Sequence, residues 1–407
     1  MKDRNLIKDC LKGDIIVWIV YMLLCLISII EVFSATSSLS FESGDYLAPI
    51  KLHSLMLMGG TAVVIIVHHI PVKYFRLVPY ICIPGAIILL SAVMLMGIIN
   101  EERVNGAARW IFGFQPSELG KMGVITWTAY LLAKFQKEKG CSPEAFKPIL
   151  LVTGVILALI APENASTALL LATVVYLMMA IGRIPGRQML KLTGAVVLTG
   201  GLAVTMILTV PPSAYKDIPG THRFTTWRNR IIDYFNNEEV PAARFDINGK
   251  AQIAHANIAI ATSHIIGKGP GNSTQRDHLS HGYSDFIYAI IIEEMGLLGG
   301  AFVILLYLIL LYRAGLIAKK CDKLFPAFLV MGVTLMLVCQ AILHIMVSVG
   351  LFPVTGQPLP LISKGGTSIL SNCIYMGMIL SVSRSIEKEQ VGEETGEDIE
   401  KEQENIN

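Results

Sequence analysis

The chain has 407 residues, of which 53% are hydrophobic and only 16% charged, and its formal net charge is +2. The apolar residues occur in long runs rather than in alternation, which is typical of a membrane protein with several spans and excludes an ordinary soluble domain. The basic residues are spread along the chain, so no nucleic-acid-binding patch is expected. The seven cysteines fall in predicted spans or cytoplasmic segments and show no metal-binding spacing, which argues against structural disulfides.

The apolar runs predict an all-α membrane fold. A helix needs roughly 20 mostly apolar residues to cross a hydrocarbon core about 30 Å thick. Ten segments fit, at approximately 15–34, 52–70, 77–99, 115–135, 148–162, 165–182, 191–210, 286–312, 325–349 and 365–385. The fifth and sixth are short and run together through PENAST, which leaves a count of eight or nine open.

The basic residues predict the orientation of these spans. Lysine and arginine cluster in alternate connections, and basic connections stay on the cytoplasmic side. With ten spans both termini are cytoplasmic, with residues 1–14 as the N-terminal segment and 15–385 as the transmembrane domain. Residues 211–285 then form one large extracytoplasmic loop between spans seven and eight, whose length favours a folded cap. Residues 386–407 are predicted to be a disordered acidic cytoplasmic tail.

A first polar patch follows the third predicted span. Arg109 and Trp110 pair a fixed cation with a ring that favours the membrane interface. Glu118 and Lys121 lie three residues apart on one face of the next predicted helix. They form either an ordinary ion pair at the wet end of a span or the lining of a polar cavity. An ionisable group deep in a span costs roughly 2.5 to 3.5 kcal/mol, which favours the cavity.

A second patch lies where the large loop enters the eighth span, at Asp285. The preceding GKGPG has three glycines that offer amide N–H groups to an anion, although a flexible turn explains this motif equally well. The polar neighbours of the junction are Gln275, Arg276, His281 and Tyr283. Asp285 is either the N-cap of the following helix or a functional carboxylate. Glu293 and Glu294 follow in the same helix and cannot both face lipid without a large cost.

A third patch is the segment 350–372, which has three prolines and four glycines within an apolar region. Such a break at membrane depth is tolerated only where the backbone lines a cavity or is buried in protein. Lys364 precedes a Gly-Gly pair, and the N–H groups leading to Ser368 open the last span in a position suited to phosphate. A plain re-entrant packing loop is the alternative.

Together the three patches predict an external site for a substrate that is part lipid and part polar phosphate. Asp285 would act as a general base on a hydroxyl while fixed cations stabilise a departing pyrophosphate. The candidate substrate-binding residues are Arg109, Glu118, Lys121, Gln275, Arg276, His281, Lys364 and Ser368. The residues alone do not separate a transferase from a transporter of such a lipid.

Three segments resemble the SEDS (shape, elongation, division and sporulation) family: RWIFGFQPSELGK, YSDFIYAIIIEEMGLLGG and GLFPVTGQPLPLISKGGTSIL. The resemblance covers nearly the whole chain. It implies a peptidoglycan glycosyltransferase that polymerises lipid II, releases undecaprenyl pyrophosphate and works with a class B penicillin-binding protein, a transpeptidase. It also implies that Asp285 is the family's essential aspartate, that Gln115 to Lys121 form its QPSE-x-x-K helix, and that Arg109 and Trp110 are its arginine-tryptophan pair.

The chain departs from the family pattern at several positions. Where the pattern reads close to LPEAHTDF this chain has LSHGYSDF, so His281 and Tyr283 replace a glutamate and a histidine. Glu163-Asn164 stands in place of a Pro-Asp pair, and Lys364 in place of a tyrosine. An extra cation beside GGTS leads to the hypothesis that Lys364 contacts pyrophosphate.

The resemblance is closest to the division branch, because GKGPGNSTQR and the long charged tail are more similar to it than to the elongation branch. It implies a protein of the bacterial cytoplasmic membrane at the division septum, with other division proteins as further partners. The alternatives are a lipid II flippase, the elongation polymerase and a non-catalytic scaffold. A divalent cation, Mg²⁺ or Mn²⁺, is left open, and no other cofactor is implied.

Overall fold

The computed structural model describes residues 12–36, 48–99, 113–211, 225, 227–229, 231–232, 251–279 and 284–404. Within these residues the protein is almost entirely helical. The only sheet in this part of the chain is a short antiparallel hairpin of β1 (Gln136–Lys137) and β2 (Gly140–Cys141). The predicted all-α membrane fold is therefore confirmed.

Eleven α-helices have their bounds in the described ranges. They are α1 (Ile15–Ala35), α2 (Ala48–His69), α3 (Val78–Ile99), α4 (Pro116–Lys134), α5 (Phe146–Ile160), α6 (Ala165–Ile181), α7 (Gly186–Thr209), α8 (Ala251–Ala261), α9 (Ile287–Lys319), α10 (Leu324–Ser348) and α11 (Gly366–Glu404). Short 3₁₀ helices occur at Val72–Leu77, Pro143–Ala145 and Arg276–His278.

Each predicted span coincides with one of these helices. In the described part of the chain, eight helices are long and apolar enough to cross a membrane: α1, α2, α3, α5, α7, α9, α10 and α11. The apolar helix α6 is shorter, with 17 residues, and α4 carries Glu118 and Lys121 near its start. A turn separates α5 from α6, so these two predicted spans are distinct helices.

The two charged side chains near the start of α4 are directed into the protein. The helix packs against α3, α10, α6 and α5, and Glu118 and Lys121 are only 5% and 1% exposed. Helices α10 and α11 are also largely buried, whereas α7 has a single buried residue, Met189. Glu118 and Lys121 therefore lie inside the bundle, while α7 presents mainly apolar side chains outward, as lipid contact requires.

The end of the bundle that carries Asp285 is covered by α8. A small apolar cluster joins α8 to the end of α1 and the start of α9, and it consists of Ala35, Ala256, Ala259, Leu279, Phe286, Ala289 and Ile290. This helix belongs to the segment predicted to cap the bundle, and its small side chains let it approach α9 closely.

Helix α9 is broken near its start. Gly296 has φ 73° and ψ −176°, so two helical pieces meet there. The backbone of Gly267 fills the break, and a Cβ on Gly267 would lie 2.3 Å from Gly296 N. Leu297 and Leu298 donate their amides to His264 O and Ile265 O, which satisfies N–H groups that the break leaves without helical partners.

The last helix, α11, continues to Glu404. The disordered state expected of the tail from residue 386 stays a prediction. Glutamate, lysine and glutamine are good helix formers and dominate this segment, so helical backbone can extend beyond the bundle without apolar packing.

Candidate functional site

Asp285 lies on a turn immediately before α9. The helix begins at Ile287 with Phe286 as its N-cap, and no side chain makes a capping hydrogen bond. Asp285 is half-buried, and its Oδ1 accepts a hydrogen bond from Ser284 Oγ at 3.0 Å. The carboxylate is therefore not used as a helix cap, and its functional role stays a prediction.

The proline- and glycine-rich break between α10 and α11 positions this turn. Ser363 Oγ donates to Ser284 O at 2.8 Å and accepts from Leu359 N at 2.8 Å. Ser363 and Ser284 are thus hydrogen-bonded to each other, and they directly precede Lys364 and Asp285. The second and third polar patches of the sequence meet here, as predicted.

The same break is connected to the first patch through α10. Lys121 Nζ lies 2.7 Å from Glu118 Oε1 and donates to Gln340 Oε1 at 3.5 Å. Gln340 Nε2 in turn donates to Pro358 O at 2.9 Å. Glu118 and Lys121 therefore form a buried ion pair inside the bundle rather than a solvated surface pair, and the polar cavity stays a prediction.

His344 lies one turn after Gln340 on the same face of α10. Its Nδ1 donates to Gln357 O at 2.8 Å, while Nε2 has no hydrogen-bond partner among the described residues. The ring is 1% exposed and interacts electrostatically with Asp285. Gln357 Nε2 donates to Thr167 Oγ1 at 2.8 Å, which extends the polar network to α6.

Sequence reasoning missed Gln340, His344 and Gln357. A signal was present, since Gln340 and His344 are spaced i,i+4 inside an otherwise apolar span. Polar side chains at that spacing share a helix face and indicate a buried polar interface.

The glycine-rich loop binds an anion that the chain itself supplies. Glu294 accepts from the amides of Gly271 and Ser273, at 2.8 and 3.1 Å. Glu293 accepts from the amides of Thr274 and Gln275, at 3.2 and 3.3 Å. Both carboxylates are fully buried. Of the three glycine amides expected to face a ligand, that of Gly271 is therefore occupied by the Glu294 carboxylate, and that of Gly269 donates to the Glu294 carbonyl oxygen.

Two candidate substrate-binding side chains hold this loop in place. Gln275 Oε1 accepts from His255 Nδ1 of α8 at 2.7 Å. Arg276 Nη1 donates to Gly271 O at 2.7 Å and to Ser34 Oγ of α1 at 3.1 Å. Their contacts tie the loop to α8 and α1, and their contact with substrate stays a prediction.

Lys364 and Ser368 lie on either side of the start of α11. Burial lowers the pKa of the half-buried Lys364 ammonium, which interacts electrostatically with the buried His53 of α2. Ser368 is 7% exposed, and Asn372 Nδ2 donates to its Oγ at 3.4 Å. The predictions for Arg109, Trp110, His281 and Tyr283 lie outside the described residues.

The chain matches known proteins over most of its length. The profile of the FtsW/RodA/SpoVE family, described as cell cycle proteins, matches residues 14–388. A protein of Geobacter metallireducens named probable peptidoglycan glycosyltransferase FtsW is 29% identical over 93% of this chain and 96% of its own length. A protein of Hahella chejuensis with the same name is 30% identical over 91% of this chain and 90% of its own.

Solved structures share the fold. One solved structure superposes with a TM-score of 0.65 at 21% identity, over 92% of this chain and 98% of that chain. It is described as structural coordination of polymerization and crosslinking by a peptidoglycan synthase complex. The rod shape determining protein RodA of Thermus thermophilus gives a TM-score of 0.62 at 19% identity, over 91% of this chain and 97% of its own. At this level of identity the similarity concerns the fold.

Proposed function

Because the chain belongs to the FtsW/RodA/SpoVE family of cell cycle proteins, we propose that it is a peptidoglycan glycosyltransferase that polymerises lipid II in septal wall synthesis. The observation that carries this proposal is the agreement between the names of its relatives, which extend over more than nine-tenths of the chain, and a carboxylate left available at the start of α9. The relatives' names describe a transferase and so do not favour the flippase and scaffold alternatives.

In the proposed reaction, Asp285 removes a proton from a sugar hydroxyl of the acceptor. The hydroxyl oxygen forms a bond to the anomeric carbon of the donor, and the bond between that carbon and the lipid pyrophosphate breaks. The bonding electrons leave with undecaprenyl pyrophosphate, and the proton stays on Asp285 until solvent takes it. A positioned general base of this kind contributes about 10² to 10⁴-fold to the rate.

Cations near the break would stabilise the negative charge that develops on the leaving group. Lys121 and Lys364 both lie on elements joined to the segment that positions Asp285. Four amides of the glycine-rich loop are committed to Glu293 and Glu294, so we assign this role to lysine side chains. Electrostatic stabilisation of developing charge is usually the largest catalytic contribution.

A divalent cation, Mg²⁺ or Mn²⁺, is a further part of the proposal. The described residues contain no group of three or more His, Cys, Asp or Glu side chains that could hold a metal ion. A magnesium ion commonly binds substrate phosphates together with one or two carboxylates. The pyrophosphate of the substrate would therefore supply most of the ligands to such an ion, and Asp285 would supply a carboxylate ligand.

The proposed partner is a class B penicillin-binding protein, which would crosslink the new strands. A neighbour in fold is described as part of a synthase complex that coordinates polymerization and crosslinking. The proposed location is the cytoplasmic membrane at the division septum, with both termini cytoplasmic, because the basic connections favour that orientation.

Polymerisation of labelled lipid II by the purified protein and its partner tests the proposal. Wild type is expected to produce glycan strands, while Asp285→Asn and Asp285→Ala lose at least about 100-fold in rate. Glu138→Gln, which removes an exposed carboxylate near the β hairpin, is the matched control and should retain full activity. Full polymerisation by both Asp285 variants would refute the assignment of the base.

A further inference from the structure

A basic cleft lies at the end of the bundle opposite Asp285. It has a volume of about 220 Å³ and lies between the 3₁₀ turn Val72–Leu77, the connection from α9 to α10, and α11. The polar and aromatic residues of its lining are Lys73, Arg76, Asp322, Lys323, Phe325 and Ser385. Three cations therefore face one carboxylate, and the cleft has excess positive charge.

Two of these cations are held by aromatic rings. The Arg76 guanidinium lies 5.3 Å from the centre of the Phe325 ring, and the Lys73 ammonium lies 5.1 Å from that of Tyr74. Neither forms an ion pair with a carboxylate among the described side chains. A cation over a ring keeps most of its capacity to attract an anion, so the positive charges of Lys73 and Arg76 are available to a ligand.

The surroundings of the cleft favour a lipid over a free anion. Three apolar or aromatic side chains beside it are exposed: Tyr74 at 50%, Leu77 at 55% and Leu324 at 45%. They lie where α3 and α10 begin, which is the level at which a span enters the bilayer. Acyl chains would cover these side chains, whereas a free phosphate would leave them in water.

We propose that this cleft binds the phosphate-bearing headgroup of an anionic phospholipid. Lys73, Arg76 and Lys323 contact the phosphate, and the acyl chains pass over Tyr74 and Leu77. Basic pockets between spans on the cytoplasmic side are known to take such headgroups, and each lysine or arginine near an anionic surface contributes about fivefold in affinity. The cytoplasmic side is also where the basic connections place this end of the chain.

A bound lipid would join three elements that are far apart in sequence. The turn Val72–Leu77 connects α2 to α3, Asp322 and Lys323 connect α9 to α10, and Ser385 belongs to α11. A ligand that binds only this folded arrangement stabilises it, by an amount that grows with the logarithm of its concentration above the Kd. The proposal does not depend on the glycosyltransferase activity.

The test uses the purified full chain in a non-ionic detergent. Binding is followed by the rise of the unfolding temperature during titration with dioctanoyl phosphatidylglycerol, and the same titration is made with dioctanoyl phosphatidylcholine and with inorganic phosphate. Phosphatidylglycerol is expected to stabilise wild type, with little effect from the other two. An equal effect of inorganic phosphate, or of phosphatidylcholine, would overturn the proposal.

The cleft variant combines Lys73→Gln, Arg76→Gln and Lys323→Gln. It is expected to bind phosphatidylglycerol roughly 100-fold more weakly, since three cations are removed. Because its fold could be affected, Lys73→Gln alone, a change of one exposed side chain, is measured beside it and should weaken binding about fivefold. Wild-type affinity in either variant would overturn the proposal.

The matched control removes three exposed lysines at the same end of the bundle but outside the cleft, by Lys137→Gln, Lys139→Gln and Lys147→Gln. It has the same net charge as the cleft variant. We expect the control to bind phosphatidylglycerol like wild type. An equal loss of affinity in the control would show that general surface charge, and not the cleft, attracts the lipid.

Discussion

Glu294 in α9 accepts a hydrogen bond from the backbone amide of Gly271, 2.8 Å away. Ser273 donates a second amide at 3.1 Å, and the Ser34 hydroxyl of α1 donates to the same carboxylate. One buried side chain thus connects the first helix, the glycine-rich loop and the helix that follows Asp285. This relationship couples the stability of the loop to the geometry of the candidate site.

Glu294→Gln is therefore expected to destabilise the protein. The substitution replaces one acceptor oxygen by an NH₂ group that faces backbone N–H donors, at a cost of about 2 to 3 kcal/mol. Thermal unfolding of the purified protein in detergent measures the loss. Glu138→Gln, at an exposed position, should leave the unfolding temperature unchanged, and equal temperatures for the two variants would contradict the prediction.

Gly267→Ala should destabilise more than Gly271→Ala. The two glycines have similar backbone angles, φ +81° and +84°, so an added Cβ strains both by about 1 to 2 kcal/mol. At Gly267 the Cβ would also lie 2.3 Å from Gly296 N, whereas at Gly271 it would meet no atom within 4 Å. The difference between the two unfolding temperatures isolates this close approach, and a difference of zero would count against it.

Glu31→Gln is expected to stabilise the protein. Glu31 is fully buried in α1, its carboxylate oxygens have no hydrogen-bond partner among the described residues, and it interacts electrostatically with Glu294. Removal of a buried ionisable group beside a second carboxylate should raise the free energy of unfolding by on the order of 1 kcal/mol. Glu31→Ala, which also leaves a cavity, should not produce this gain, and a lower unfolding temperature for Glu31→Gln would refute the prediction.

Lys121→Met should destabilise the protein strongly, because Glu118 would be left as a buried charge. Breaking a buried pair by removing one partner costs about 3 to 5 kcal/mol. The double variant Glu118→Gln and Lys121→Met should recover much of that stability. If Lys121 also contacts substrate, the double variant will refold without regaining polymerisation, and full recovery of activity would assign Lys121 a structural role only.

The pH dependence of polymerisation should identify the charge on Lys364. Burial lowers the pKa of this ammonium, so it loses its proton at a pH below the ordinary value of about 10.4, and activity that needs the charge falls as pH rises through the lowered pKa. Lys364→Arg should move that alkaline limb to higher pH, and Lys364→Met should lower activity throughout. Lys319→Met, an exposed control at the opposite end, should change neither, and an unchanged limb in Lys364→Arg would exclude the role.

The spans and the meeting of the polar patches could be predicted from sequence, because membrane helices are defined by local apolar runs and charged residues within them must be directed inward. Glu118 and Lys121 illustrate this, since the free-energy cost of placing their charged side chains in lipid already indicates an internal position. The break before α11 could likewise be assigned to the protein interior, since Pro358 and Pro360 leave backbone groups that need partners.

The role of the glycine-rich loop could not be predicted, because it depends on which anion reaches the amides. Nothing local in GKGPGNST indicates that Glu293 and Glu294, some twenty residues later, are directed back onto it. The break at Gly296 was equally hidden, since EEMGLLGG is a plausible continuous helix until the backbone of Gly267 is placed against it.

Helix α11 gives the protein a mechanical connection between its two ends. From Gly366, next to Lys364, to Glu387, whose carboxylate accepts from Gly13 N at 3.0 Å, it runs for 22 residues or about 33 Å. A helix of this length hardly stretches along its axis. A displacement of its acidic end is therefore transmitted almost completely to the residues beside Lys364. A pull from one side of the membrane can in this way change the alignment of groups on the other.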